Sequence, residues 1–171
     1  MKIGIYFGST MGVTERIASN LAEKLAEFGD VTVHNVGIDG LAGMAACDLI
    51  LLGTSTWGEG ELQDDWLAHQ ELPGMELDGK TVALFGTGDA AGYPDTFVDG
   101  MGVLAAAAAK AGARRIGAWP TGGYGFDHSA ALHNGQFVGL ALDEDNQPEQ
   151  TEARIEMWVA QLKAELGAEA S

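Results

Sequence analysis

Ile3-Gly4-Ile5-Tyr6-Phe7, then Gly8-Ser9-Thr10-Met11-Gly12-Val13-Thr14, then Ile17, Leu21, Leu25 and Phe28 at helical spacing decide the fold of this chain. The first run is apolar at almost every position. That pattern marks a strand buried on both faces, as strands of parallel sheets are. The second run holds only glycine, hydroxyl and uncharged apolar residues and reads as a loop. The third places its apolar side chains on one face of a helix, with Gly29 set to stop it. Strand, loop and helix in that order are the first half of a parallel crossover unit.

The same unit recurs along the chain. Leu49 to Leu52, Val82 to Phe85 and, more weakly, Ile116 to Trp119 read as further buried strands, and Val31 to Val36 alternates like an edge strand. Phe97, Met101, Leu104 and Ala108 form a second helical face ending at Gly112. Ile155, Trp158, Val159, Leu162 and Leu166 form a third ending at Gly167. Weaker helical patterns cover Leu41 to Ala46 and Asp64 to Glu71. Five such alternations predict an α/β fold, a doubly wound five-stranded parallel sheet with helices on both faces. Right-handed crossovers favour strand order 2-1-3-4-5, with ligands at the carboxyl ends of the strands beside the switch point. The loops at Gly8, Gly53 and Gly86 are therefore expected to meet. Thr121 to Phe126, Gln136 to Leu142 and Asp143 to Asp145 break the alternation and read as an insertion near the fifth strand. The chain of 171 residues is expected to be one domain, 1–171.

Composition restricts the function. Nine Lys and Arg against 25 Asp and Glu give a formal charge of -16, which repels nucleic acid and anionic membranes and suits a partner with a basic face. No apolar run approaches the ~20 residues of a membrane span. Met1-Lys2 leads straight into the first strand with no signal-peptide pattern, so a cytoplasmic protein is expected. The one cysteine, Cys47, can form neither an intrachain disulfide nor a thiolate cluster and reads as a small apolar filler.

Three loops carry the chemistry. Ser9, Thr10, Met11, Gly12, Val13 and Thr14 lie between a buried strand and a helix, where backbone N–H groups and a helix N-terminus converge on an anion. No Lys or Arg falls between Gly8 and Thr14, so neutral donors would hold a stationary phosphate monoester rather than a triphosphate being cleaved. Thr14 as a simple helix cap is the plainer reading; the position at the switch point favours phosphate. In the second loop, Thr54, Ser55, Thr56, Trp57, Gly58, Glu59 and Gly60, a Trp between small residues suits a flat ligand. Trp57 also stands where a serine nucleophile elbow needs glycine, which argues against hydrolysis. The third loop contains Thr87, Gly88, Asp89, Ala91 and Tyr93. Its glycines match the dinucleotide fingerprint only loosely and follow the fourth strand, not the first. Two aromatics, Trp57 and Tyr93, flanking a slot beside a phosphate cradle describe a site for flavin mononucleotide (FMN).

These loops together resemble the flavodoxin family over nearly the whole chain. The stretch from Ser9 to Thr14 is similar to the family's phosphate loop. Thr56-Trp57-Gly58-Glu59-Gly60-Glu61, followed by Leu62-Gln63-Asp64-Asp65-Trp66, is similar to its first ring loop, and Phe85 to Asp89 through Gly92-Tyr93 to its second. Phe137 to Gln147 resembles the end of the insertion that marks the long-chain subfamily. The resemblance implies the flavodoxin-like fold and one FMN, its ring between Trp57 and Tyr93. Backbone groups around Gly58, Glu59, Asp89, Ala91 and Val98 would bond the ring's polar edge. It implies a low-potential one-electron carrier rather than an enzyme, working between semiquinone and hydroquinone. Such a carrier is monomeric and meets a reductase donor and a reductive-enzyme acceptor transiently; some members serve nitrogenase. One departure stands in the phosphate loop: Met11 precedes Gly12 where the family has a hydroxyl residue, and Thr10 is the candidate substitute.

From Ser55 to Ala109 the chain has ten acidic residues and one basic, Lys80. One carboxylate ~10 Å from the ring, at an effective dielectric of ~20, disfavours its reduced anion by roughly 1.7 kcal/mol, or about 70 mV. An FMN-dependent quinone reductase on the same fold is the main alternative, and no nicotinamide or quinone pocket is apparent for it. A phosphoacceptor domain would need acids where Gly8-Ser9-Thr10 stands, and a flavin-free interaction module leaves Trp57 and Tyr93 without a role.

Overall fold

Strand β1, Lys2–Phe7, lies inside the parallel sheet of the computed structural model, which describes residues 1–8, 12–57, 61–68 and 71–169. It pairs with β2, Asp30–Asn35, on one side and with β3, Leu49–Trp57, on the other. Leu49, Ile50, Leu51 and Leu52 are all fully buried, as an unbroken apolar run predicts for a strand covered on both faces. A two-residue strand β4, Glu61–Leu62, returns antiparallel along the end of β3. Strand β5, Thr81–Thr87, continues the sheet beyond β3, and the order β2-β1-β3-β5 is the expected one up to its last strand.

The fifth strand is present but divided. Its first piece, β6 (Arg114–Arg115), pairs with Thr81 and Val82; its second, β9 (Leu140–Leu142), pairs with Phe85, Gly86 and Thr87. Ile116 to Trp119, the segment read as this strand, leaves the sheet instead. Ile116 still donates its N–H to the Val82 carbonyl, and Trp119 then pairs antiparallel with Phe137. Residues 116–139 form the insertion between the two pieces, and they include a small hairpin of β7 (Leu132–His133) and β8 (Gln136–Phe137). The sheet gains its fifth line of hydrogen bonds from residues 25 positions or more apart.

Helix α1, Val13–Leu25, packs on β1, β3 and the last helix, α5 (Thr151–Glu169). Helix α4, Asp99–Lys110, packs on β3 and β5. Because β1-α1-β2 and β5-α4-β6 run in opposite directions across the sheet, right-handed connections put α1 and α4 on opposite faces. Of the weaker helical segments, Leu41 to Ala46 forms only a 3-10 turn at Met44–Ala46, and Asp64 to Glu71 yields a short α3, Asp64–Leu67, followed by a 3-10 turn at Leu72–Gly74. Val36, read as the end of the second strand, instead begins a short helix α2, Val36–Asp39. Gly167 does not end α5, which runs to Glu169. Cys47 is buried, and its thiol donates to the Gly43 carbonyl at 3.6 Å. Among the described residues no helix is long and apolar enough to cross a membrane.

Candidate functional site

The carboxyl ends of β1, β3 and β5 stand side by side, because Phe7 pairs with Gly53 and Gly53 with Phe85. Strand β3 runs four residues beyond that line. Thr54, Ser55 and Thr56 are therefore strand rather than loop, and the second loop begins only after Trp57. Ser9, Thr10, Met11, Gly58, Glu59 and Gly60 lie outside the described residues, as does the side chain of Trp57.

The first loop is bound to the third strand from both ends. Gly8 donates its N–H to the Gly53 carbonyl at 3.1 Å, and the indole of Trp66 donates to the same oxygen at 2.8 Å. A Cβ on Gly8 would lie 2.1 Å from Oε1 of Gln63, so only glycine lets β1 end against the fully buried Gln63. At the far end Gly12, not Thr14, caps α1. Its φ of +81° suits glycine, and among the described residues no atom lies within 4 Å of where its Cβ would project. Val13 and Thr14 form the first helical turn, whose N–H groups have no acceptor within the helix. Open space in front of a helix N-terminus with unpaired donors fits a phosphate. Thr14 is almost fully buried.

Hydroxyls on β3 are already engaged. Thr54 is fully buried and turns its Oγ1 to the Ser55 carbonyl, while Thr56 accepts the Gly100 N–H at 2.8 Å and so ties the start of α4 to the end of β3. Just before that helix stands Val98, fully buried, with φ +50°. A β-branched residue in left-handed backbone carries a cost of roughly 1–2 kcal/mol, and such strain collects at functional sites. The turn is held in place by Asp99 N–H to the Thr96 carbonyl and Met101 N–H to the Val98 carbonyl.

The third loop folds over its own acid. Thr87 ends β5; Gly88 packs against Phe97 and Val98. The Asp89 carboxylate accepts the N–H of Gly92 and the side-chain amide of Asn146, both at 2.8 Å. The Gly92 N–H first, and the Asn146 amide second, hold the Asp89 carboxyl below the usual carboxylate range, so it stays charged. The same Asn146 amide donates to Asp143, which is buried and also accepts the Ala90 N–H. Burial first, and then the charges of Asp89, Asp143 and Glu144, push the neighbouring Asp145 carboxyl up. Ala91 is exposed, and Tyr93 is 45% exposed, a large ring left open to solvent. The insertion reaches this loop as well. Asp127 and His128 donate N–H groups to the Pro94 carbonyl, Ser129 donates its hydroxyl to the Phe97 carbonyl, and the Ala130 N–H meets the Asp99 carboxylate at 2.6 Å.

The described part of the predicted site thus converges: Gly12, Val13, Thr14, Thr54, Ser55, Thr56, Thr87, Gly88, Asp89, Ala91, Tyr93 and Val98 fall on neighbouring strand ends or the turns that follow them. Sequence reasoning missed Asn146, which braces Asp89 from 57 positions away, and Asp143, which accepts the Ala90 N–H from 53 positions away. No local pattern announces such a contact.

Known proteins share this sequence pattern and fold. The family model described as Flavodoxin matches residues 5–158. A flavodoxin of Nostoc is 45% identical over 169 residues, covering 97% of this chain and 98% of that protein. Flavodoxin 1 of Azotobacter vinelandii is 40% identical, covering 96% and 97%. The crystal structure of Fusobacterium nucleatum flavodoxin bound to flavin mononucleotide superposes with a TM-score of 0.91 at 30% identity, over 96% of this chain and 98% of that one. With its sheet order, its strand-end loops and these relatives in agreement, the chain belongs to the flavodoxin family.

Proposed function

We propose that residues 1–171 act as one FMN-binding unit that carries single electrons between larger redox proteins. The observation that carries this reading is the meeting of three loops at the ends of β1, β3 and β5, with an open helix N-terminus at one side and Tyr93 at the other. Bound FMN supplies a ring that accepts and releases electrons one at a time. The protein's residues bind it and set its potential.

Gly12 and the first-turn N–H groups of Val13 and Thr14 would take the phosphate, joined by Ser9 and Thr10. Trp57 and Tyr93 would cover the ring, and backbone groups at Gly58, Glu59, Gly60, Asp89, Ala91 and Val98 would meet its polar edge. Covering the ring excludes water, and Asp89, charged at neutral pH, disfavours added negative charge nearby. Both effects make the second electron the more reducing one. The Val98 turn, braced through Thr56, Gly100 and the insertion, keeps that wall of the site in one geometry.

The divided fifth strand with its insertion supports assignment to the long-chain subfamily. The charge of -16 supports transient docking of a monomer with basic-faced partners, a reductase as donor and a reductive enzyme as acceptor. The lone, buried cysteine fits a cytoplasmic setting.

Refolding the chain with FMN tests the reading. A yellow one-to-one complex that does not oxidise NADH or NADPH is expected. A chain that stays colourless in the presence of FMN overturns it.

A further inference from the structure

Between the insertion and α5 lies a groove of about 460 Å³. Trp119 and Pro120 from the insertion form one wall, and Ala153, Arg154 and Met157 of α5 form the other. The chain carries 25 acidic residues against 9 basic ones, yet among the described residues none of those lining the groove is acidic. Arg154 has no carboxylate within ion-pairing distance among the described residues. Its guanidinium lies 4.1 Å from the centre of the Tyr124 ring, a cation–π contact that fixes the head without neutralising it.

Two polar atoms in this groove are buried without a partner: Nη1 of Arg154 and Oε1 of Gln147. They are near each other, because both side chains end on the same carbonyl. Gln147 donates through Nε2 to Gly123 O at 2.8 Å, and Arg154 through Nη2 to the same oxygen at 3.5 Å. The bond to Gly123 also fixes which end of the Gln147 amide carries the oxygen. One unused donor with a full positive charge and one unused acceptor are therefore carried by two side chains that meet at the Gly123 carbonyl. Leaving such atoms buried and unpaired is unfavourable, and a small rotation of both heads towards a ligand would relieve it.

We propose that this groove binds the carboxyl-terminal residue of a peptide, with its free carboxylate on Arg154 and its backbone N–H on Gln147 Oε1. The planar fork of arginine suits a carboxylate, and a terminal residue presents an N–H donor beside that carboxylate. An apolar terminal side chain fits against Trp119 and Met157, the latter 64% exposed and unbranched, able to adapt to what it covers. Gln150, which also lines the groove, offers an amide to the preceding peptide unit. Binding of an anion explains why, among the described residues, the one charged side chain lining the groove is positive on an otherwise acidic chain.

The test uses the FMN-loaded protein, labelled with nitrogen-15, titrated with an acetylated tripeptide ending in leucine and separately with its carboxamide. Saturable shifts at Gly122, Gly123 and Gln147 are expected for the acid, with the carboxamide about tenfold weaker or worse, as loss of a charge-assisted pair implies. Arg154→Gln should abolish the preference for the acid, and Arg154→Lys should keep part of it. Met157→Glu changes an exposed side chain and should weaken the acid as well, by placing a like charge at the mouth. Acetyl-leucine alone should bind more weakly than the tripeptide if the preceding peptide unit is read. Absent saturable shifts at millimolar peptide, equal binding of acid and carboxamide, or unchanged binding in both Arg154→Gln and Met157→Glu would overturn the proposal.

Discussion

Replacing Asn146 with alanine should loosen the third loop and change how the protein responds to acid. The Asn146 amide is the bridge between Asp89, at 2.8 Å, and Asp143, at 3.0 Å to each oxygen; the acidic oxygens of Asp89, Asp143 and Asp145 lie within 4.8 Å of one another. Without it, charges that now share a donor face each other. Hydrogen bonds to charged groups contribute about 1.5–3 kcal/mol when buried, and the exposure of Asn146 puts this case nearer 1–2 kcal/mol. For a chain of this size that is a fall in Tm of about 2–8 °C. The sign with pH follows from Asp89. Its folded carboxyl is held below the ordinary range, so it adds stability that is present at neutral pH and is lost as pH falls through the folded value. Alanine at 146 removes part of that depression. Wild type and variant should therefore differ fully at pH 7, and the gap should narrow below about pH 4, the ordinary aspartate range. Thermal melts of the apoprotein across that range read it directly. Equal Tm values at pH 7, or a gap that widens in acid, would refute the bracing role of Asn146.

Gly12→Val should weaken FMN far more than riboflavin, because it adds a side chain in front of the phosphate donors and strains a residue at φ +81°; fluorescence titrations with the two ligands give the ratio. Met11→Thr, restoring a hydroxyl beside that glycine, should leave FMN affinity unchanged or raise it. Tyr93→Ala should expose the ring to water and move the more reducing of the two potentials upward, and potentiometric titration that finds no movement removes Tyr93 from the site. Electron transfer to a basic partner should slow as ionic strength rises towards ~0.15 M, where the Debye length is ~8 Å, and stopped-flow rates indifferent to salt would exclude the acidic surface as the docking face.

Much of the fold could be read from the sequence because β1, β3 and β5 are covered on both faces, and two-sided burial leaves only apolar residues. Leu49 to Leu52 and Val82 to Phe85 could hardly be anything else. The fifth strand was obscured for the opposite reason. Its first piece is two arginines, of which Arg115 sends Nη1 to the Val138 carbonyl, and its second piece lies beyond an insertion of residues 116–139. Ile116 to Trp119 is apolar because it packs beneath α5, where the Trp158 indole donates to the Gly117 carbonyl, not because it joins the sheet. The site was legible where loop chemistry is local: glycines beside strand ends and a lone aromatic on a surface turn. What supports it was not. Gln63 under Gly8, Asn146 on Asp89 and Ser129 on Phe97 are ordinary polar residues whose roles come from contacts distant in the chain.

Stepwise anaerobic reduction of the FMN-reconstituted protein tests the central claim most directly. A one-electron carrier takes up its two electrons in separate steps, the second at a markedly lower potential, because the covered ring and the charged Asp89 both oppose the added negative charge. Two resolved one-electron waves, with the lower one displaced downward from that of free FMN, are the predicted result. A single two-electron wave at the potential of free FMN would contradict the account.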